Sequence, residues 1–370
     1  MMSQPSTRVG VEIELTAPRG VSRADLAAAL AGPGGRVRRF FHTQSEPSAV
    51  PGTPVFDNLT PGFTAVNAQG EIVAHCVDDL TLLDGLNRHA PARAGWHRIV
   101  SDDGRLLRLV ARHCDPDASL ETVLNPIAAL FGTTVEVGEG QMHRVADQAG
   151  LPIAIAAPLP GERERPCELV TPPIDGDLEA RLEALLAPAR ALGFAVPAEA
   201  AVHLHYDADV LRDALVVRSL VRFWEAWGET LKLLVAVNPR CRRLGRWPEA
   251  LRATVEAPDF TTLDWPAARG RLAKLGLTKY CDLNLRNLVH DVPDKPTLEV
   301  RVLPGAIHAE PIVRAAQLFA AAHRRVRAQP LHRLGAWPAG RQSAERLLWS
   351  LPLEPSDRLY WLSRAATLTA

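Results

Sequence analysis

Hydrophobic and polar positions alternate near the start of the chain, over residues 8–16. Valine, isoleucine and leucine occupy every second position from Val9 to Leu15, and Glu12 and Glu14 stand between them. Because successive side chains of a strand point to opposite faces, this pattern predicts a half-buried strand with both glutamates on its polar face.

Similar patterns predict the remaining elements, with turn-forming residues between them. Strands are predicted at residues 36–41, 167–170, 200–206, 279–288 and 297–303, as short segments within 133–160, and as hairpins at 63–75 and 95–110. Helices are predicted from residue 22 to the glycines at 32–35, and at residues 119–131, 177–192, 209–237, 251–275 with an interruption, and 309–327.

These elements mix strands and helices without a strict β-α-β alternation. The order predicts an α+β fold around a mainly antiparallel sheet, covering residues 1–327. Residues 328–370 are rich in tryptophan, leucine and arginine and have a weak helical period, which predicts a C-terminal helical extension. Residues 161–165 alternate in charge and are predicted to form a solvated loop, with a lid as the alternative.

Composition narrows the classes of partner. The 370 residues include 42 basic and 42 acidic ones, so the formal net charge is zero. No net field then attracts nucleic acid or an anionic membrane surface, and neither is expected as a partner.

The chain shows no run of about 18 apolar residues and no apolar segment near its start, so a cytoplasmic location is expected. The oligomeric state stays open, with a homo-oligomer among the alternatives.

Candidate chemistry lies in polar residues spaced two apart on the predicted strands. These are Glu12 with Glu14, His203 with His205, Asp282 with Asn284, and Glu299 with Arg301, and Glu168 adds a further carboxylate. Carboxylates with a few imidazoles suit Mg²⁺ or Mn²⁺, and an arginine beside them suits phosphate. The alternative is the ordinary solvated face of an antiparallel sheet. The set contains no lysine, which favours a site. The phosphate-binding loop, the dinucleotide-binding glycine motif and the His-Glu-x-x-His zinc motif are all missing from the sequence.

Five short motifs occur in order along the chain. They are Gly-Val-Glu-Ile-Glu at 10–14, Cys-Glu-Leu-Val-Thr-Pro-Pro at 167–173, Val-His-Leu-His at 202–205, Lys-Tyr-Cys-Asp-Leu-Asn at 279–284 and Thr-Leu-Glu-Val-Arg at 297–301. Together they resemble the motifs of the amidoligase family, which is similar to glutamine synthetase and glutamate–cysteine ligase. The resemblance implies a glutamine-synthetase-like catalytic domain, a curved, mainly antiparallel sheet with helices packed behind it. It also implies an ATP-dependent carboxylate–amine ligase that uses Mg²⁺ or Mn²⁺ and an acyl phosphate, with a small metabolite or peptide as substrate.

The resemblance also implies roles for individual residues. Glu14 and Glu168 would hold one metal ion, and Glu12, His203 and Glu299 the other. Arg301 would neutralise the transferring phosphate, with Glu299, Asn284 and Tyr280 beside it in the catalytic set, and His205 would lie near the nucleotide. Arg240, Arg242 or Arg243 would reach the phosphates, or would simply complement the dipole of the preceding helix.

One departure from glutamine synthetase concerns the metal ligands. That enzyme has two acidic ligands near the position of Glu168, whereas this strand carries only one. Asp147 is a candidate for the missing contact, and a turn aspartate is the equally weighted alternative.

Two other functions compete with the ligase. The first is an acyl hydrolase that would use Cys167 or Cys281 with His203 or His205. The second is a metal- or nucleotide-binding scaffold whose active site has decayed. Dependence on ATP separates the three, because a hydrolase needs none and a scaffold would bind it without turnover.

Overall fold

The computed structural model describes residues 8–47, 55–241, 244–290, 295–328 and 338–368. The chain forms two compact units. The first contains Met1–Glu12, Pro173–Leu186 and Glu199–Ala370, and the second contains Ile13–Pro172 and Ala187–Ala198. The division into a domain of residues 1–327 and an extension of residues 328–370 stays a prediction.

The described strands and helices have the following bounds. Strands are β1 (Val9–Thr16), β2 (Arg36–Pro47), β3 (Val55–Val66), β4 (Ile72–Val77), β5 (His97–Ser101), β6 (Val135–Val137), β7 (His143–Ala146), β8 (Pro152–Pro158), β9 (Pro166–Val170), β10 (Ala201–Asp207), β11 (Leu283–Asn284) and β12 (Thr297–Pro304). Helices are α1 (Arg23–Ala31), α2 (Gly104–His113), α3 (Asn125–Leu130), α4 (Leu178–Ala191), α5 (Ala214–Val235), α6 (Glu249–Val255), α7 (Trp265–Ala273), α8 (Arg286–Val289), α9 (Ala309–Ala328), α10 (Arg341–Ser350) and α11 (Pro355–Ala365).

In the first unit, neighbouring strands follow the order β11-β12-β10-β1. Strands β10 and β11 both pair antiparallel with β12, and the register places His205 and Asn284 on either side of Glu299. Directly paired residues of a ladder share one face of the sheet, so these three side chains lie together. The β10–β12 register shifts between Val202 and Leu204. At that irregularity one residue of β10, His203, lies opposite two residues of β12, Arg301 and Val302.

Helices α5 and α9 pack against each other in the first unit. Asp213 caps the start of α5, and its side chain accepts a hydrogen bond from the backbone N–H of Val216. Helices α10 and α11 also pack on α5, and an ion pair of 2.7 Å joins Arg314 of α9 to Asp357 of α11. The helical character predicted for the end of the chain is therefore confirmed over residues 341–350 and 355–365.

Buried His323 of α9 makes stability depend on pH. Its ring meets Tyr206 edge-on with the centroids 4.6 Å apart, and burial, with Arg324 and Arg327 nearby, lowers the pKa of His323 to about 4. An unfolded histidine titrates near 6.5, so between these values the unfolded state binds the proton and the folded state does not.

We expect this difference to destabilise the protein as pH falls from about 6.5 to about 4, with a slope of up to about 1.4 kcal/mol per pH unit from this residue. The variant His323→Phe keeps the aromatic contact and should lose that part of the slope. Urea unfolding at pH 7, 5.5 and 4.5 measures it. Parallel stability profiles for wild type and variant would show that His323 is not responsible.

In the second unit, neighbouring strands follow the order β1-β9-β4-β3-β5-β8-β7-β6, and β2 pairs with β3 along its full length. Helix α1 packs on β3 and β4, while α2 and α3 cover a hydrophobic cluster that includes Leu59, Ile99 and Leu107. Nine strand pairs are antiparallel: β10–β12, β11–β12, β2–β3, β3–β4, β3–β5, β4–β9, β5–β8, β6–β7 and β7–β8. A large antiparallel sheet with helices confirms the α+β class.

The charged segment at residues 161–165 is not a solvated loop. Arg163 and Arg165 are both buried, at 8 % exposure. The Arg163 guanidinium pairs with buried Asp78 and donates to the carbonyl of Leu82 at 2.8 Å, and Arg165 donates to the carbonyl of Ala17 at 2.8 Å. Buried arginines need such partners. The prediction was wrong because the partners are distant in sequence.

Three other predictions differ from the structure. The second hairpin is strand β5 followed by helix α2, because Asp103 caps the helix and Leu107 and Val110 bury one of its faces. The predicted strand at 279–288 is reduced to β11, after which the backbone turns into α8. The helix predicted at 119–131 is confined to α3, which has a proline in its first turn.

Several predicted strands are confirmed, namely those at residues 8–16, 36–41, 167–170, 200–206 and 297–303, together with the hairpin of β3 and β4. The first of these strands differs in one respect, because β1 is buried on both faces rather than half-buried.

Within the described ranges, none of the helices combines the length and the apolar character needed to cross a bilayer.

Candidate functional site

The polar strand residues of the first unit are buried. Counted over the whole residue, none of the following exceeds 6 % exposure: Glu12, His203, His205, Asp282, Asn284, Glu299 and Arg301. A solvated sheet face would leave these side chains in water, so that alternative does not describe them. Charges are costly to bury unless they are paired and hydrogen-bonded. Their partners therefore decide what the group can do.

Glu12 lies at the centre of this group. Its Oε2 is 3.1 Å from Nδ1 of His203, and its Oε1 is 3.0 Å from Nε2 of His205. The ammonium of Lys295 forms an ion pair with the same Oε1. Burial by itself would raise the pKa of Glu12, but His205, His203 and Lys295 more than offset it and hold that pKa well below its usual value. Glu12 is therefore a carboxylate at neutral pH.

Glu299 has a different set of partners. Its Oε1 forms an ion pair with Arg301, and its Oε2 accepts a hydrogen bond of 2.7 Å from Nδ2 of Asn284. Nδ1 of His203 lies 3.5 Å from Oε1 of Glu299. Burial raises the pKa of Glu299, and the charge of Arg301 outweighs that effect, so the pKa is lowered. Arg301 thus keeps this buried carboxylate ionised.

The two histidines differ in their surroundings. Burial and the neighbouring charge of Arg301 lower the pKa of His203, although Glu12 and Glu299 oppose the shift. Nδ1 of His205 lies 3.1 Å from the hydroxyl of Thr297. A hydroxyl can donate and accept, so Thr297 supports either tautomer of His205. When Nδ1–H donates to Thr297, Nε2 keeps a lone pair that can bind a cation.

Glu12, His205 and Glu299 meet the geometric requirement for a metal site. Each offers one ligand atom, and these atoms lie within 4.8 Å of one another. Two carboxylates with one imidazole fit a divalent ion such as Mn²⁺ or Mg²⁺. His203 also touches both carboxylates, so the structure brings together all three residues that the resemblance assigned to one ion and adds His205.

Asp282 and Asn284 serve different purposes despite their spacing. Asn284 contacts Glu299, and its Oδ1 accepts the backbone N–H of Arg286 at 2.8 Å, at the start of α8. Asp282 accepts a hydrogen bond of 3.1 Å from the backbone N–H of Gly245 and pairs with Lys232 of α5 at 3.2 Å. Its carbonyl accepts the backbone N–H of Arg301 at 3.0 Å. Asp282 therefore positions the strand that carries Arg301.

The other predicted residues of the first unit lie toward the surface. Tyr280 is 43 % exposed on the segment before β11, with the ammonium of Lys279 5.7 Å from its ring centroid. Arg240 is exposed in the turn after α5, where its backbone N–H donates to Asn238. The predictions for Arg242 and Arg243 lie outside the described residues. The phosphate-binding role of Arg240 and the catalytic role of Tyr280 stay predictions.

Glu14 and Glu168 belong to the second unit. Glu14 is 5 % exposed on β1, and Glu168 is half-buried on β9, paired in register with Val77 of β4. Their role as ligands of an ion stays a prediction. Asp147 forms a turn instead, because its carboxylate accepts the backbone N–H groups of Ala149 and Leu151 at 2.9 and 2.8 Å. The turn interpretation of Asp147 is confirmed.

The cysteines proposed for a hydrolase are buried thiols. Burial raises the pKa of Cys281 to about 12 and that of Cys167 well above its ordinary value. The Cys281 thiol also donates to the carbonyl of Leu283 at 2.9 Å. Because the thiolate is the nucleophile, these environments disfavour the Cys/His hydrolase.

Sequence reasoning missed Lys295 and Thr297. Thr297 continues the spacing of Glu299 and Arg301 toward the start of β12, so extending that pattern by two residues would have found it. Lys295 precedes the strand and has no periodic signal. Its contact with Glu12 is visible only in the folded chain.

The chain was compared with protein families, curated proteins and solved structures. Residues 5–322 match the family described as "Putative amidoligase enzyme". No curated protein and no solved structure matches the chain. The family match covers most of the 370 residues and spans all five motifs. The chain therefore belongs to the amidoligase family.

Proposed function

We propose that this protein is an ATP-dependent amidoligase that joins a carboxylate to an amine through an acyl phosphate, with Mg²⁺ or Mn²⁺ at the site. Family membership supports a ligase. The observation that carries the proposal further is the buried cluster of Glu12, His205 and Glu299, with Arg301 paired to Glu299. A glutamine-synthetase-like architecture is part of the same proposal.

The chemistry explains why such a site needs both anionic ligands and an arginine. A carboxylate is a poor acylating agent, and phosphorylation by ATP converts it into an acyl phosphate that an amine can attack. When bound, a divalent ion supplies charge neutralisation for the phosphoryl oxygens. In this chain Glu12, His205 and Glu299 would hold the ion, and Arg301 would offer its guanidinium to the transferring phosphoryl group.

The surrounding residues hold the arginine and the carboxylate in fixed orientations. Glu299 orients the guanidinium of Arg301, and Asn284 orients Glu299. Glu14 and Glu168 would hold a second ion, as the resemblance implies. The substrates are proposed as a small metabolite or peptide carboxylate and an amine.

The experiment that tests this function combines ATP, Mn²⁺ or Mg²⁺, and pooled amino acids, amines and peptides. Phosphate release that depends on both substrates, with a condensed product detected by mass spectrometry, is the expected result. Hydroxylamine in place of the amine should trap the acyl phosphate as a hydroxamate. Excess chelator should abolish both reactions. ATP binding without turnover on any substrate pool would instead favour the decayed scaffold, and product formed without ATP would favour a hydrolase.

Thr297 gives a separate test of the metal site. The variant Thr297→Val keeps the shape but removes the group that orients His205, and we expect Mn²⁺ binding about 10–100-fold weaker. Thr297→Ser keeps a hydroxyl and should bind Mn²⁺ nearly as wild type does. Titration of Mn²⁺ followed by its electron paramagnetic resonance signal measures both. Equal affinity in the valine and serine variants would show that the Thr297 hydroxyl does not orient His205 for metal binding.

A further inference from the structure

Lys295 contacts the candidate metal site directly. Its ammonium pairs with Oε1 of Glu12, the same oxygen that lies 3.0 Å from Nε2 of His205. The Glu12 side chain is buried at 8 % exposure, whereas that of Lys295 is 45 % exposed. The lysine therefore reaches from the rim of the site to a buried ligand.

The backbone of Lys295 is held in place while its side chain reaches inward. Its carbonyl accepts the backbone N–H of Thr297 at 2.8 Å, and the next carbonyl, of Pro296, accepts that of Ala208 at 2.9 Å. The ammonium can thus leave Glu12 by side-chain rotation toward solvent, without movement of β12. A lysine suits this because its charge is compact and its stem is flexible.

Each of the two carboxylates in the Glu12, His205 and Glu299 cluster is paired with a cation. Glu12 and Glu299 are the carboxylates, and Lys295 and Arg301 are the cations paired with them. A divalent ion bound by Glu12, His205 and Glu299 would add two positive charges beside Lys295. Like charges repel strongly where the dielectric is low, so ion and ammonium compete for Glu12.

We propose that Lys295 is a built-in counter-ion of Glu12, which a divalent ion displaces. It lowers the affinity of the site for the metal alone and favours metal that arrives with an anion, because the displaced ammonium then pairs with that anion. This inference rests on the proposed metal site. Displacement of Lys295 would then favour binding of the metal–nucleotide complex over binding of the free ion.

The test measures Mn²⁺ binding by the full-length protein without nucleotide. Lys295→Met should bind Mn²⁺ at least about fivefold more tightly than wild type, since the competing cation is gone. The exposed Lys274→Met removes the same charge elsewhere in the first unit and should bind as wild type does. A non-hydrolysable ATP analogue should strengthen Mn²⁺ binding in wild type more than in Lys295→Met.

A second measurement uses the wild-type protein and does not depend on a variant that folds. Acetylation of Lys295 by a limiting acylating reagent, followed by peptide mass spectrometry, should become faster when Mn²⁺ is added and the ammonium is released. Unchanged or weaker Mn²⁺ binding in Lys295→Met, or unchanged acetylation, overturns the counter-ion while leaving the metal site intact. If neither wild type nor Lys295→Met binds Mn²⁺, the proposed metal site fails and this inference fails with it.

Discussion

Replacing Glu299 with glutamine should remove most ligase activity, by about 100-fold or more, and should also destabilise the protein. The substitution removes an anionic ligand, and loss of even an indirect partner of a metal ligand costs 10–100-fold. It also leaves Arg301 buried at 6 % exposure without its carboxylate. Breaking a buried ion pair on one side typically costs about 3–5 kcal/mol.

A double variant separates the two effects. Combining Glu299→Gln with Arg301→Met also removes the buried cation that was paired with Glu299, so much of the lost stability should return while activity stays absent. Denaturant unfolding and product formation from ATP measure the two quantities. Glu310→Gln on α9 is the matched control, because its side chain is 64 % exposed and surface changes fall within about ±0.5 kcal/mol. Wild-type activity in Glu299→Gln would falsify the assignment of Glu299 as a ligand.

The spacing of polar residues predicted the central part of the site because a period of two is a property of the backbone itself. His203 and His205 are two residues apart on β10, Glu299 and Arg301 are two apart on β12, and the antiparallel register brings His205 opposite Glu299. Such geometry follows from local sequence once two strands are known to be neighbours.

Alternation did not predict burial. An antiparallel strand with charged residues on one face normally shows that face to water, yet β1 is buried on both sides. The contacts of Glu12 with His203, His205 and Lys295 offset the cost of burying its charge. Glu12 is separated from these partners by about 190 to 280 residues of chain, so short-range patterns hold no information about the contacts.

The same reason explains the errors outside the site. Arg163 looked like part of a charged loop, but its partner Asp78 comes from a different part of the second unit. The segment before Asn284 looked like a long strand, but Asp282 is pinned by Gly245 and Lys232 and the ladder is limited to β11. In each case a tertiary ion pair or hydrogen bond overrode the local preference.

Replacing Arg301 should also have a large effect on catalysis. In the acyl-phosphate mechanism its charge matters most as the phosphoryl group transfers, so Arg301→Met should lower kcat about a hundredfold, or about 3 kcal/mol. The KM for ATP should change much less. The guanidinium has several N–H groups, so it can keep its ion pair with Glu299 while other edges meet phosphate oxygens.

Arg301→Lys distinguishes this role from a purely structural one. A lysine keeps a positive charge beside Glu299, so most of the stability lost in Arg301→Met should return, but a single ammonium cannot serve the carboxylate and a phosphate with the fork geometry of arginine. We therefore expect kcat of the lysine variant to stay well below wild type while its unfolding free energy approaches it. If Arg301 only neutralises Glu299, then kcat and stability should recover together in the lysine variant. Steady-state kinetics and urea unfolding on the same preparations distinguish a phosphate-binding role from a structural one. If Arg301 binds phosphate, the lysine variant recovers stability without recovering kcat, whereas a structural counter-ion would restore both.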